Sequence, residues 1–163
     1  MPTYNNRDFL NRISQLESSG GQNINHPQVQ QGLQAGTTAI GKYGMMPNTV
    51  KELVNRRRIR GTSTPELQDL GNMPPDQMKK YIEANPQLEE ELANELANKV
   101  IVRQQGDPDR AAYSWKQGDN LKPSEISDDD LNNNPYVQKF RNLNKMLQTP
   151  GGNPQEEQED DNN

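Results

Sequence analysis

A chain of 163 residues fits one domain with a modest core, and with only 29% hydrophobic residues and a mean hydropathy of -1.17 that core must come from few, well-placed apolar side chains. The absence of cysteine excludes disulfides, zinc thiolates and thiol nucleophiles. The formal charge of -5 is concentrated at one end: residues 148 to 163 hold Glu156, Glu157, Glu159, Asp160 and Asp161 without a basic residue, which leaves 18 acidic against 18 basic groups elsewhere and no electrostatic footprint for nucleic acid.

Asn5 or Asn6 is placed to cap a first helix, whose apolar residues Phe9, Leu10, Ile13 and Leu16 follow helical spacing until Gly20 and Gly21 stop it. Glu17 therefore falls in the last turn of that helix. Residues 22 to 38 are rich in Gln, Asn and Gly and poor in apolar anchors, which predicts a long loop or a small β-like flap. Thr49-Val50-Lys51-Glu52 has the spacing of a capping box and predicts a helix running toward Arg56, Arg57, Arg58 and Arg60. Those cations are read as complementing the negative end of the helix dipole rather than as a polyanion contact.

Prolines then mark the helix starts. Thr64-Pro65-Glu66 opens a short helix with Leu67 and Leu70, and Pro74-Pro75-Asp76 opens another with Met78, Tyr81 and Ile82. Asn85-Pro86 begins the longest one, with Leu88, Leu92, Ala93, Leu96, Ala97, Val100 and Ile101 in a stripe of helical period ending at Gly106. Asp107-Pro108-Asp109 caps a helix carrying Tyr113 and Trp115, Ser127 to Leu131 reads as an acidic helix start, and Asn134-Pro135 opens a last helix through Val137, Phe140, Leu143 and Leu147. The expectation is a mainly α fold in a single domain over residues 1 to 147, followed by a disordered acidic tail, 148 to 163.

Three short segments carry chemistry. Leu16-Glu17-Ser18-Ser19-Gly20-Gly21 sets a carboxylate before a small-residue turn, Ala39-Ile40-Gly41-Lys42-Tyr43-Gly44-Met45-Met46-Pro47-Asn48-Thr49 follows the flap, and Ala111-Ala112-Tyr113-Ser114-Trp115 lies on the later helix. In this order they resemble the soluble lytic transglycosylases of the lysozyme-like superfamily. The resemblance runs from residue 7 to about residue 118, with its most specific part between 16 and 49.

The resemblance implies a lysozyme-like helical fold and a peptidoglycan-cleaving enzyme, a lyase acting on a glycosidic bond, with Glu17 as its sole acid and base. Cleavage needs a carboxyl group that stays protonated near neutral pH, whereas a free glutamate titrates at roughly 4.3. Apolar neighbours and an adjacent helix C-terminus both favour the neutral form. The expected product of the muramyl to N-acetylglucosamine β-1,4 cleavage is a 1,6-anhydro sugar.

Within the resemblance, Ser19 is expected to point a hydroxyl into the cleft, Gly41 to let a sugar approach the backbone, Met45 and Met46 to line the wall, and Thr49 to cap the following helix. Gly44 stands where such sequences often carry a substrate-binding glutamine. Tyr43 beside it is expected to supply the polar contact instead. Tyr113 is expected to hold the rotamer of the catalytic carboxyl, and Trp115 to offer a flat face to a sugar ring. Ser114 and Trp115 depart from the Asn and Ala of the resembled motif.

His26 is read as a surface residue or sugar contact rather than a base. Neither a metal nor another cofactor is expected, because Asp128-Asp129-Asp130 lacks the ligand spacing of a calcium loop. Residues 1 to 7 read as no secretory signal and no segment reaches membrane-spanning length, so no membrane insertion is expected. Together with the Gly41-Lys42-Tyr43 and Tyr113-Ser114-Trp115 variants, this leads to the expectation of a bacteriophage virion enzyme acting in the host periplasm and cell wall, with peptidoglycan strands and other virion proteins as partners. The rival readings are a muramidase of the same fold and a non-catalytic virion or wall-binding protein.

Overall fold

The computed structural model describes residues 5–30 and 36–148, with side chains described as far as Leu143. The segment 31–35 of the expected flap, the Leu147 side chain and residues 149–163 of the expected tail lie outside them. Within this range the protein is mainly helical, and its only β pairings are the isolated bridges Gln28 to Thr38 and Ile40 to Met45. Eight α-helices follow in order: α1 (Asn6–Ser18), α2 (Pro47–Arg60), α3 (Pro65–Gly71), α4 (Pro75–Glu83), α5 (Pro86–Arg103), α6 (Pro108–Gln117), α7 (Asp128–Asn132) and α8 (Pro135–Gln148), with a 3-10 turn at Pro123–Glu125.

Proline occupies the first helical position of six of these helices, α2 to α6 and α8. Its fixed φ suits the helix, and its missing N–H is one that no intrahelical carbonyl would have met. Side chains complete several of the starts. Asn5 accepts from the Arg7 N–H at 2.7 Å, Thr64 from Leu67 at 3.2 Å, and Asp107 from Asp109 and Arg110 at 3.0 and 3.3 Å.

One expected cap is corrected. α2 begins at Pro47 with Met46 as its cap residue and no side-chain cap bond, so Thr49 sits inside the first turn. With proline already at the first position the helix starts two residues before the capping-box pattern, and Glu52 is left to pair with Lys99 Nζ at 2.9 Å. The arginines do end the helix: Gly61 takes a left-handed conformation and its N–H closes on the Arg58 carbonyl at 3.1 Å. Arg57 reaches Glu95 at 2.7 Å and Glu91 at 3.6 Å.

The described residues group into two compact units, 5–99 and 100–148, with α5 crossing the division. In the first unit Phe9, Leu10, Ile13, Ile40, Leu53, Leu70, Met78, Ile82 and Leu92 are all fully buried. At about 25 cal/mol per Å2 of apolar surface, each such leucine or phenylalanine contributes about 1.5 to 3 kcal/mol. α2 packs on α3 and α4.

In the second unit α6 packs on α7 and α8, around a cluster of Ile126, Leu131 and Val137 against which Tyr113 and Leu121 rest. Arg110 binds Asp107 at 2.8 Å and Asp128 at 3.0 Å, and Arg141 binds Asp109 at 2.8 Å. These bridges tie α6 to both neighbouring helices.

Candidate active site

Glu17 lies in the last turn of α1 and is partly buried. The helix stops just after it because Ser19 turns left-handed at φ 53, and the N–H groups of Ser19 and Gly20 close on the carbonyls of Gln15 and Ser14 at 3.2 and 3.0 Å. Ser18, not Ser19, is the serine that turns inward. It is 3% exposed, and its hydroxyl donates to the Lys42 carbonyl at 2.6 Å while accepting from the Gly21 N–H at 2.8 Å. Ser19 is exposed, so the expected cleft-facing hydroxyl is replaced by one that bonds the end of α1 to the segment 39–49.

That segment folds into a tight hairpin. The Ile40 N–H reaches the Met45 carbonyl at 2.8 Å, and residues 41–44 form the turn with Gly41 at φ 61 and Gly44 at φ 64. Residues without a Cβ are required here for more than conformational reasons. A Cβ on Gly44 would collide with the Glu17 carboxyl, standing 2.7 Å from its Cδ, and one on Gly41 would stand 2.8 Å from the Cδ of Glu89. The two glycines of the turn are thus each met by a carboxyl group, Gly44 by one from α1 and Gly41 by one from α5.

Three successive N–H groups of the turn face carboxylates, an arrangement that favours anions. Gly41 donates to Glu83 at 2.9 Å, Tyr43 donates to Glu89 at 3.4 Å, and the Lys42 N–H is also bonded to Glu89. His26 Nε2 lies 2.6 Å from the Gly41 carbonyl, and since a carbonyl only accepts, that nitrogen carries the proton. Lys79 pairs with Glu83 at 2.6 Å and donates to the carbonyl of Ala39 at 3.2 Å. Nearly every polar group of the turn is thereby tied to the unit around it.

Electrostatically, Glu89 is the unusual member of this set. It is 6% exposed, and burial pushes its carboxyl above the usual carboxylate range, against the two backbone N–H bonds that favour the charged form and with the help of the like charges of Glu90 and Glu83. The Tyr43 phenol is likewise raised, by burial and by its bond to the Glu90 carboxylate.

The structure brings Glu17, Gly41, Tyr43, Gly44, Met45 and Met46 into one unit, with roles that differ in part from those expected. Tyr43 is fully buried and its hydroxyl donates to Glu90 at 2.7 Å, so it anchors the hairpin rather than offering a polar contact at the surface. Met45 is 2% exposed and belongs to the core, whereas Met46 is only partly covered. Gly41 is approached by a carboxylate of the protein itself. Tyr113 and Trp115 lie on α6 in the second unit, both partly buried, and Ser114 is buried with its hydroxyl donating to the Gly118 carbonyl at 2.8 Å.

Sequence reasoning gave Ser18 no role beyond the turn after Glu17, and it missed Glu83, Glu89 and Glu90. For Glu89 a signal was present, since it occupies the same helical row as Ala93, Ala97 and Val100, all of them buried. Among the described residues no group of three or more His, Asp or Glu side chains is placed to hold a metal, and no helix is long and apolar enough to cross a membrane. Comparison with family models, curated proteins and solved structures finds no match to this chain.

Proposed function

We propose that this protein is a peptidoglycan lytic transglycosylase in which Glu17 is the one acid and base. The observation that carries the reading is the seating of the Glu17 carboxyl on Gly44. Two of the three segments that resemble the transglycosylase family, remote in sequence, meet at the side chain to which the chemistry is assigned.

In this reaction the Glu17 carboxyl donates its proton to the glycosidic oxygen as the bond from that oxygen to the muramyl C1 breaks. The carboxylate left behind takes a proton from the muramyl C6 hydroxyl as that oxygen bonds to C1. A 1,6-anhydro ring results, Glu17 is protonated again and no water is consumed. A single carboxylate suffices for this sequence, whereas hydrolysis needs a second one to activate water. The nearby carboxylates Glu83, Glu89 and Glu90 are each bonded to the hairpin.

Met46, partly covered and two residues beyond Gly44, is assigned to the wall of the glycan cleft. Trp115 is assigned to sugar stacking on its residue type. The protein is assigned to a bacteriophage particle, opening the host wall locally, on the Gly41-Lys42-Tyr43 and Tyr113-Ser114-Trp115 variants of the motifs. Clearing of purified murein tests the assignment. Wild type is expected to clear it and a folded Glu17→Gln variant to lose nearly all activity, while equal clearing by both removes Glu17 from the mechanism.

A further inference from the structure

We propose that Glu89 is a positioning residue for the reaction, which sets the place of the Glu17 carboxyl by gripping the turn on which that carboxyl rests. The inference depends on the catalytic role given to Glu17 above, but the grip itself can be measured without turnover.

Glu89 sits in the first turn of α5, where the helix dipole suits a carboxylate, yet its side chain is 6% exposed and points into the unit rather than into solvent. A buried carboxylate is costly unless its oxygens are bonded. Here they meet the N–H groups of Lys42 and Tyr43, while the carboxyl lies against the Cα of Gly41. Those are the residues immediately before Gly44, whose own Cα supports Glu17.

The turn therefore has Glu89 against its first residue, Gly41, and Glu17 against its last, Gly44. Glu83 and His26 hold Gly41 at its N–H and its carbonyl, at 2.9 and 2.6 Å, and Ser18 holds the Lys42 carbonyl at 2.6 Å. Among these grips only Glu89 binds the N–H groups of both central residues. Loss of its oxygens releases the N–H groups on the approach to Gly44 and leaves the Lys42–Tyr43 peptide with its carbonyl bond to Ser18, and a reacting group displaced by about 1 Å can lose up to roughly a hundredfold in rate.

The test compares Glu89→Leu with Glu89→Gln, because glutamine keeps an acceptor oxygen and leucine keeps only the bulk. For Glu89→Leu we expect native circular dichroism, faster amide exchange at Lys42 and Tyr43, a shifted Gly44 amide resonance, and kcat lowered about tenfold or more with KM within about twofold. For Glu89→Gln we expect amide protection and kcat close to wild type. Should Glu89→Leu fail to fold, Glu89→Asp, shorter by one methylene, takes its place with the same expected pattern.

Unchanged exchange and an unmoved Gly44 resonance in the leucine or aspartate variant overturn the inference, as does an equal loss of kcat in the glutamine variant. If wild type does not cleave murein, the functional reading fails on its own. The exchange and resonance data then still decide whether Glu89 sets the turn.

Discussion

The Glu17 carboxyl stands where a Cβ on Gly44 would be, with Cδ 2.7 Å from that position. This pairing gives Gly44 a physical meaning that its departure from the glutamine of the resembled motif does not. Gly44→Ala puts a methyl group into the carboxyl and strains a residue held at φ 64. The expected cost is about 1 to 3 kcal/mol in thermal unfolding together with loss of murein clearing. Gly44→Gln, which restores the commoner residue of the resembled motif, is expected to fare no better, and a gain of activity in that variant would show that Glu17 does not need the space.

The two serines after Glu17 separate cleanly. Ser18→Ala removes the hydroxyl's bonds to the Lys42 carbonyl and the Gly21 N–H, of which the carbonyl is half-buried and the N–H keeps the Ser18 backbone carbonyl at 3.1 Å, for an expected loss of about 1 to 1.5 kcal/mol. Ser19→Ala, at an exposed position, should stay within about 0.5 kcal/mol of wild type. Urea unfolding of the two variants side by side checks this, and the reverse order would mean that Ser19 is the inward-facing residue.

Tyr43 is predicted to be an anchor. Tyr43→Phe deletes only the hydroxyl that bonds Glu90, so stability should fall by about 1 kcal/mol while KM for murein stays unchanged. Steady-state kinetics on soluble glycan fragments decides, and a several-fold rise in KM with unaltered stability would return Tyr43 to substrate binding.

The pH dependence of stability follows from Glu89. Its folded-state carboxyl is raised above the ordinary value, chiefly by burial, so the folded protein holds this proton more tightly than the unfolded chain. The resulting stabilisation is complete below the ordinary carboxylate range and is lost as pH rises through the raised folded value. Glu83, Glu90, Lys42, Lys79, Tyr43 and His26 also belong to this cluster, so the informative quantity is the difference between wild type and Glu89→Gln. Urea unfolding across the acidic range should give a flatter profile for the variant, and identical profiles would show that the side chain titrates normally.

Helix starts were legible because proline, Asn and Asp act through the local backbone alone. The prolines from Pro65 to Pro135, the cap at Asp107 and the left-handed stop at Gly61 need no knowledge of what packs nearby. The start of α2 was not read, since Pro47 and the capping-box pattern at Thr49 offer competing beginnings and proline's fixed φ prevails. Glu17 and the hairpin were readable as segments, but their junction was not, because a glycine chosen for space looks in sequence like a glycine chosen for a turn. The grip of Glu83, Glu89 and Glu90 on residues 41–43 is long-range and left only the trace that Glu89 heads the buried row of Ala93, Ala97 and Val100.

The most direct test of the account is mass spectrometry of the muropeptides released from purified murein by wild type and by Glu17→Gln. The account predicts 1,6-anhydro products, lighter by one water than their reducing-end counterparts, from wild type and almost none from the variant. Reducing-end products alone, or equal release by both proteins, would contradict it.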